Sequence, residues 1–145
     1  MTALAVGDPY PVGAGVVRPV ALDALHVGDS RVAVVTCLDL RVDPVVVLGV
    51  PRRRLDVITV HEGTSDEELD RALRASREQL GSRHVVVLAH EDCAFHGRRA
   101  DDEVDSAAQA VVDRIRDAAG DGSVVLGVVL GDRGSIVIAP RPGGL

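Results

Sequence analysis

The chain has 145 residues, 46% of them hydrophobic, with 16 basic and 22 acidic side chains and a formal net charge of −6. That length and hydrophobic content fit one globular domain with one core and exclude a disordered chain. The acidic balance excludes a nucleic-acid surface, which needs a concentrated basic face. Every basic residue is Arg, a coding bias from which no function follows. No apolar run is long enough to span a bilayer, and the N-terminus lacks the basic start and apolar stretch of a secretory signal, so a cytoplasmic protein with no membrane partner is expected. In that compartment two cysteines are expected to be thiols or metal ligands, not a disulfide.

Residues 1–17 are rich in Gly, Pro and small side chains without a sustained period, and read as a loose arm suited to packing on a partner subunit. Residues 18–145 read as a single α/β domain. A short helix is expected over Val20 to Leu25, ended by Gly28, followed by a buried strand from Arg31 to Thr36. Asp43-Pro44 has the form of a helix start with Pro in the first turn, which predicts a short helix over Val45 to Leu48. Arg52-Arg53-Arg54 reads as a solvated turn. The β-branched stretch Leu55 to Val60 predicts a second strand.

Thr64 or Ser65 can cap the next helix, Asp66, Glu67 and Glu68 load its first turn with favourable negative charge, and Leu69, Leu73, Ser76 and Leu80 follow at helical spacing up to Gly81. Val85-Val86-Val87-Leu88 is a central strand buried on both faces. After a polar loop, Asp101-Asp102-Glu103 opens a helix with Val104, Ala107, Ala108, Val111, Val112 and Ile115 on one side, ended by Gly120 and Gly122. Val124 to Leu130 and Ser135 to Ala139, joined by Gly131-Asp132-Arg133-Gly134, form an antiparallel hairpin. Strands alternating with helices predict an α/β fold: a mainly parallel central sheet flanked by helices, with an antiparallel C-terminal edge strand.

The two cysteines each follow a buried strand. The first strand runs into Cys37-Leu38-Asp39-Leu40-Arg41, and the central one into His90-Glu91-Asp92-Cys93. If these strands are parallel neighbours, Cys37, Asp39, His90 and Cys93 converge at the carboxyl ends of the sheet, where open α/β folds build their sites. Zinc prefers thiolate sulfur and imidazole nitrogen in a tetrahedron, and a catalytic zinc takes three protein ligands with one exchangeable position, a set that Cys37, His90 and Cys93 supply. Taken singly, the same residues also fit two buried thiols acting as small hydrophobes and a histidine closing a strand.

The motifs C-x-D-x-R and H-x-x-C, in this order and each directly after a buried strand, resemble those of the β-class carbonic anhydrases. The similarity extends to Leu80-Gly81 before the central strand and to the order of elements from about Arg31 to Ala139. The resemblance implies zinc held by Cys37, His90 and Cys93, an Asp39–Arg41 pair beside the metal, and a homodimer as the smallest unit. It implies the reversible hydration of carbon dioxide to bicarbonate on a zinc-bound hydroxide. Asp39 is a possible fourth ligand when released from Arg41; the pair also fits an ordinary ion pair locking a loop. Where that family carries R-N-A-G this chain has Val60-His61-Glu62-Gly63, and where a Gly follows the second Cys it has Ala94.

Of the other histidines, His84 opens the central strand at the end opposite the zinc ligands, a structural place. His61 and His96 fall on loops after strands, either as exposed loop residues or near the mouth of the site as proton shuttles. Glu62 can tune His61 or take the place of the missing Asn, and His26 carries no assignment. Competing functions are the hydrolysis of a related small molecule, carbon disulfide or carbonyl sulfide, and a non-catalytic zinc-binding member acting as a binding or regulatory partner. A thiol phosphatase is also conceivable on the spacing from Cys93 to Arg99, although Asp101, Asp102 and Glu103 would repel its substrate.

Overall fold

The computed structural model describes residues 30–37, 42–61, 63–91, 101–119, 123–131 and 134–141. The expected N-terminal arm and the helix over Val20 to Leu25 lie outside them, as do Asp39, Arg41, Glu62, Cys93 and His96.

Five strands form one sheet in the order β2-β1-β3-β4-β5, with β1 at Arg31–Cys37, β2 at Leu55–Val60, β3 at Ser82–His90, β4 at Val125–Gly131 and β5 at Gly134–Ile138. The first three pairings are parallel and β4–β5 is antiparallel, so the predicted α/β architecture with an antiparallel edge strand is the one observed. The helices are α1 at Pro44–Leu48, α2 at Asp66–Leu80 and α3 at Asp101–Ala118. Among the described residues no helix is long and apolar enough to cross a membrane.

Alternation along β1, β3 and β4 divides the core between the two sheet faces, because successive side chains on a strand point to opposite sides. On one face Val32, Val34, Val86, Leu126 and Val128 pack with Leu48 and Val50, from α1 and the segment after it. On the other, Val35, Val85, Val87 and Val129 pack with Leu69 of α2 and with Val104, Ala108, Val112 and Ile115 of α3. Burial of both faces explains why β1, β3 and β4 read as continuous apolar runs. Strand β2 lies at the sheet edge, and its Val57 is exposed.

Local chemistry sets the helix ends. Asp43 accepts a hydrogen bond from the Val45 N–H at 3.0 Å and caps α1, with Pro44 in its first turn. Ser65 Oγ accepts from the Glu68 N–H at 3.1 Å at the head of α2, and Gly81 closes its tail in the left-handed region at φ 76°. Leu80, at helical spacing with Leu69 and Leu73, is nonetheless exposed on the last turn.

The predicted solvated turn over 52–54 needs correcting at Arg54. It forms a short 3₁₀ turn in which Arg52 and Arg53 are exposed, but Arg54 is buried and donates from Nε to the Ser30 carbonyl at 3.0 Å. The aliphatic stem of Arg is long enough to lie in a protein interior while its guanidinium finds a carbonyl.

Strand β3 begins three residues earlier than its valine run. Ser82 is buried and shares a 2.7 Å hydrogen bond with Ser76 of α2, and His84 Nδ1 accepts from the Val124 N–H at 3.1 Å. These bonds satisfy polar side chains that would otherwise argue against a buried strand. His84 is thus structural, as its position at the start of β3 suggests. Burial first, then the charges of Arg83 and Arg54, hold its pKa below the usual 6.5 and keep the ring neutral as an acceptor.

Candidate functional site

Cys37 is the last residue of β1 and His90 the last of β3, two parallel neighbours whose carboxyl ends lie side by side. Their side chains meet, with Cys37 Sγ 2.8 Å from His90 Nε2. His90 is 4% exposed, and its Nδ1 lies 3.1 Å from the Glu91 carbonyl oxygen. A carbonyl only accepts, so Nδ1 carries the proton of the neutral ring and Nε2 turns its lone pair toward Cys37. Metal-binding histidines are prepared in this way, with one ring nitrogen fixed by a backbone carbonyl and the other left to coordinate.

Glu91, absent from the expected site, holds this arrangement from below. Its N–H donates to the Leu130 carbonyl at 2.9 Å, which carries the β3–β4 pairing one residue past His90. The Glu91 side chain is buried, and its carboxylate occupies the space that a Cβ on Gly131 would take. Gly131 is required here for close approach, not for a left-handed backbone. The signal available in the sequence was a Gly closing β4 one register step beyond the Leu130 that pairs with His90, and it becomes readable only once the register is known.

A cavity of about 250 Å³ opens beside the pair, between the ends of β1, β2 and β3 and the flanking helices α2 and α3. Val35, Val60, Leu69, Val87, Ala89 and Val104 make much of its wall aliphatic, and Cys37, His90, Thr36 and His61 also line it. His61 is therefore at the cavity, but its ring is engaged: Nδ1 accepts from the Gly63 N–H at 2.9 Å. Its backbone N–H donates to Thr64 Oγ1 at 3.0 Å, which folds the loop ahead of α2.

Of the residues expected at the site, the structure brings Cys37 and His90 together, while Cys93, Asp39 and Arg41 lie outside the described residues. Among the described residues no group of three His, Cys, Asp or Glu side chains is placed to hold a metal ion. The donor chemistry of the pair nevertheless fits zinc: a sulfur and an imidazole nitrogen in contact, with the imidazole already oriented from behind.

Over 66 residues, 46% of its length, the chain is 31% identical to beta-carbonic anhydrase 1 of Mycobacterium bovis, and equally to beta-carbonic anhydrase 1 of two strains of Mycobacterium tuberculosis. The match spans 40% of the length of those relatives. No family model matches the chain. The similarity is partial and distant, and it points to the same family as the C-x-D-x-R and H-x-x-C motifs.

Proposed function

We propose that this protein is a zinc-dependent, carbonic anhydrase-like enzyme that interconverts carbon dioxide and bicarbonate, with Cys37, His90 and Cys93 as the metal ligands. The observation that carries the reading is the 2.8 Å contact between Cys37 Sγ and His90 Nε2 at the mouth of a largely aliphatic cavity, with the far side of the imidazole fixed on the Glu91 carbonyl. Zinc held there would supply the Lewis acidity that makes a water molecule acidic enough to react near neutral pH.

The chain's own residues have four tasks. Cys37 and Cys93 would bring two thiolate charges, which would offset the charge of a bound zinc and lessen its pull on water compared with a site of neutral imidazoles. Asp39 then assists by accepting a hydrogen bond from the attacking water, which orients a lone pair toward the substrate carbon. Arg41, whose guanidinium suits a two-pronged ion pair, would hold Asp39 and keep its carboxylate from competing for a bound zinc. Aliphatic side chains such as Val60 and Leu69 favour a small neutral molecule over an ion, since an ion gives up its hydration on entry. The proposal includes a homodimer, and a cytoplasmic setting in which the ligand thiols stay reduced.

Stopped-flow hydration of carbon dioxide, followed with a pH indicator, tests the reaction. Turnover that disappears together with zinc in Cys37→Ser, His90→Ala and Cys93→Ser supports it. Zinc retained by the parent protein without hydration of carbon dioxide would replace the reaction with one on carbonyl sulfide or carbon disulfide, or with a non-catalytic zinc module.

A further inference from the structure

Strand β2 ends at Val60, which packs on the α2/α3 face of the sheet and lines the cavity there. The chain then turns through His61 and Gly63 into Thr64, Ser65 and Asp66 at the head of α2, and His61 and these three residues line the same cavity. The turn is built around His61. Its N–H donates to Thr64 Oγ1 at 3.0 Å, its carbonyl accepts from the Thr64 N–H at 2.9 Å, and its ring Nδ1 accepts from the Gly63 N–H at 2.9 Å. A Cβ on Gly63 would lie 2.9 Å from His61 Cε1 and 3.1 Å from Nδ1, so the ring takes this place only because residue 63 has no side chain. An exposed histidine is ordinarily free to turn, and ordering it costs entropy. This one is exposed and yet held in place. A backbone N–H only donates, so Nδ1 is the bare nitrogen and the neutral ring carries its hydrogen on Nε2. No hydrogen bond among the described residues engages that Nε2–H.

We infer that His61 is a substrate-binding residue whose Nε2–H donates a hydrogen bond to an oxygen of bicarbonate in the cavity it shares with Cys37 and His90. The inference rests on the reaction proposed above and adds to it a group that recognises the anion. The aliphatic wall gives bicarbonate nothing in exchange for its hydration, so a fixed donor is where its charge is met. Carbon dioxide is a poor acceptor and gains little from the same N–H. Its oxygens take on negative charge as water adds to the carbon, however, and a donor already in place stabilises that charge without reorganising. A ring that passed a proton from one nitrogen to the other would need Nδ1, which the Gly63 bond occupies.

Nitrogen NMR of the His61 ring at mildly alkaline pH, with sodium bicarbonate titrated against sodium chloride at the same ionic strength, reads the contact. Nδ1 should show the shift of an unprotonated nitrogen, and the Nε2–H signal should move with bicarbonate and not with chloride. In His61→Ala the Kd for bicarbonate should rise about ten-fold, the low end for a hydrogen bond to a charged group. Its kcat/KM should fall by one common factor in hydration and dehydration, because the equilibrium constant of the reaction fixes their ratio. Gly63→Ala keeps the imidazole but displaces it, so it should weaken bicarbonate in the parent and have no further effect in a His61→Ala background.

A His61 ring protonated at Nδ1 alone, a ring whose signals bicarbonate leaves unmoved, or a His61→Ala protein with the parent's Kd would overturn the inference. So would Gly63→Ala weakening bicarbonate equally in both backgrounds, since the loop and not the ring would then carry the effect. If bicarbonate moves the His61 signals of a protein that does not hydrate carbon dioxide, the proposed reaction fails and the inference stands. Hydration in His61→Ala with the parent's rate constants and bicarbonate Kd gives the converse.

Discussion

Gly131→Ala is the sharpest probe of how the sheet supports the proposed metal ligand His90. A Cβ at that position would lie within the Glu91 carboxylate, so the carboxylate must move or β4 must shift. Overpacking a buried site by one methyl group costs about 2 kcal/mol, which for a domain of this size lowers the Tm by roughly 6 °C. The displacement acts on the residue whose carbonyl holds His90 Nδ1 and whose N–H continues the β3–β4 ladder, so zinc affinity should fall 10- to 100-fold, the usual range for losing a partner behind a metal ligand. Thermal unfolding and chelator competition measure the two effects. In a Glu91→Ala background the added methyl group has space, and the double-mutant cycle should return most of the ~2 kcal/mol as coupling. Gly131→Ala destabilising both backgrounds equally would refute the steric account, and unchanged zinc affinity would refute the link from Glu91 to His90.

His84 has a pKa held below its usual 6.5, so the unfolded chain binds its proton more readily than the folded one, and its contribution to stability is lost as pH falls from about 6.5 toward the lowered value. His84→Asn can still accept from Val124 but does not titrate, so Tm measured against pH should decline less steeply over that window than in the parent; equal slopes would remove His84 from the pH dependence. Arg41→Ala should move the rise in hydration activity to higher pH while zinc stays at about one per chain, because Asp39 then competes for the metal; the parent's pH profile in this variant would make the pair structural. Light scattering at micromolar concentration should give a dimer, and a fully active monomer would contradict it.

The two strands that end in Cys37 and His90, the two long helices and the final hairpin were legible because each rests on a strong local signal: buried β-branched runs, an acidic capped helix start, and a Gly-bounded turn. The contact between Cys37 and His90 was legible as a consequence, since two adjacent parallel strands ending in those residues must bring them to one edge. The start of β3 was hidden because Ser82 and His84 are polar, and only their bonds to Ser76 and Val124 make that burial tolerable. Arg54 was read as exposed for the same reason, as its partner is a backbone carbonyl 24 residues away. The fit of Glu91 against Gly131 depends on the register of β3 against β4, which no local pattern encodes. Cys93, Asp39 and Arg41 lie outside the described residues and rest on the motifs they belong to.

Zinc ligation by Cys37, His90 and Cys93 can be read directly from X-ray absorption at the zinc edge of the purified protein. The spectrum should show about one zinc per chain with two sulfur ligands at about 2.3 Å and nitrogen or oxygen ligands at about 2.0–2.1 Å, falling to one sulfur in any zinc that Cys37→Ser retains. A protein that binds no zinc, or whose zinc has only nitrogen and oxygen ligands, would contradict it.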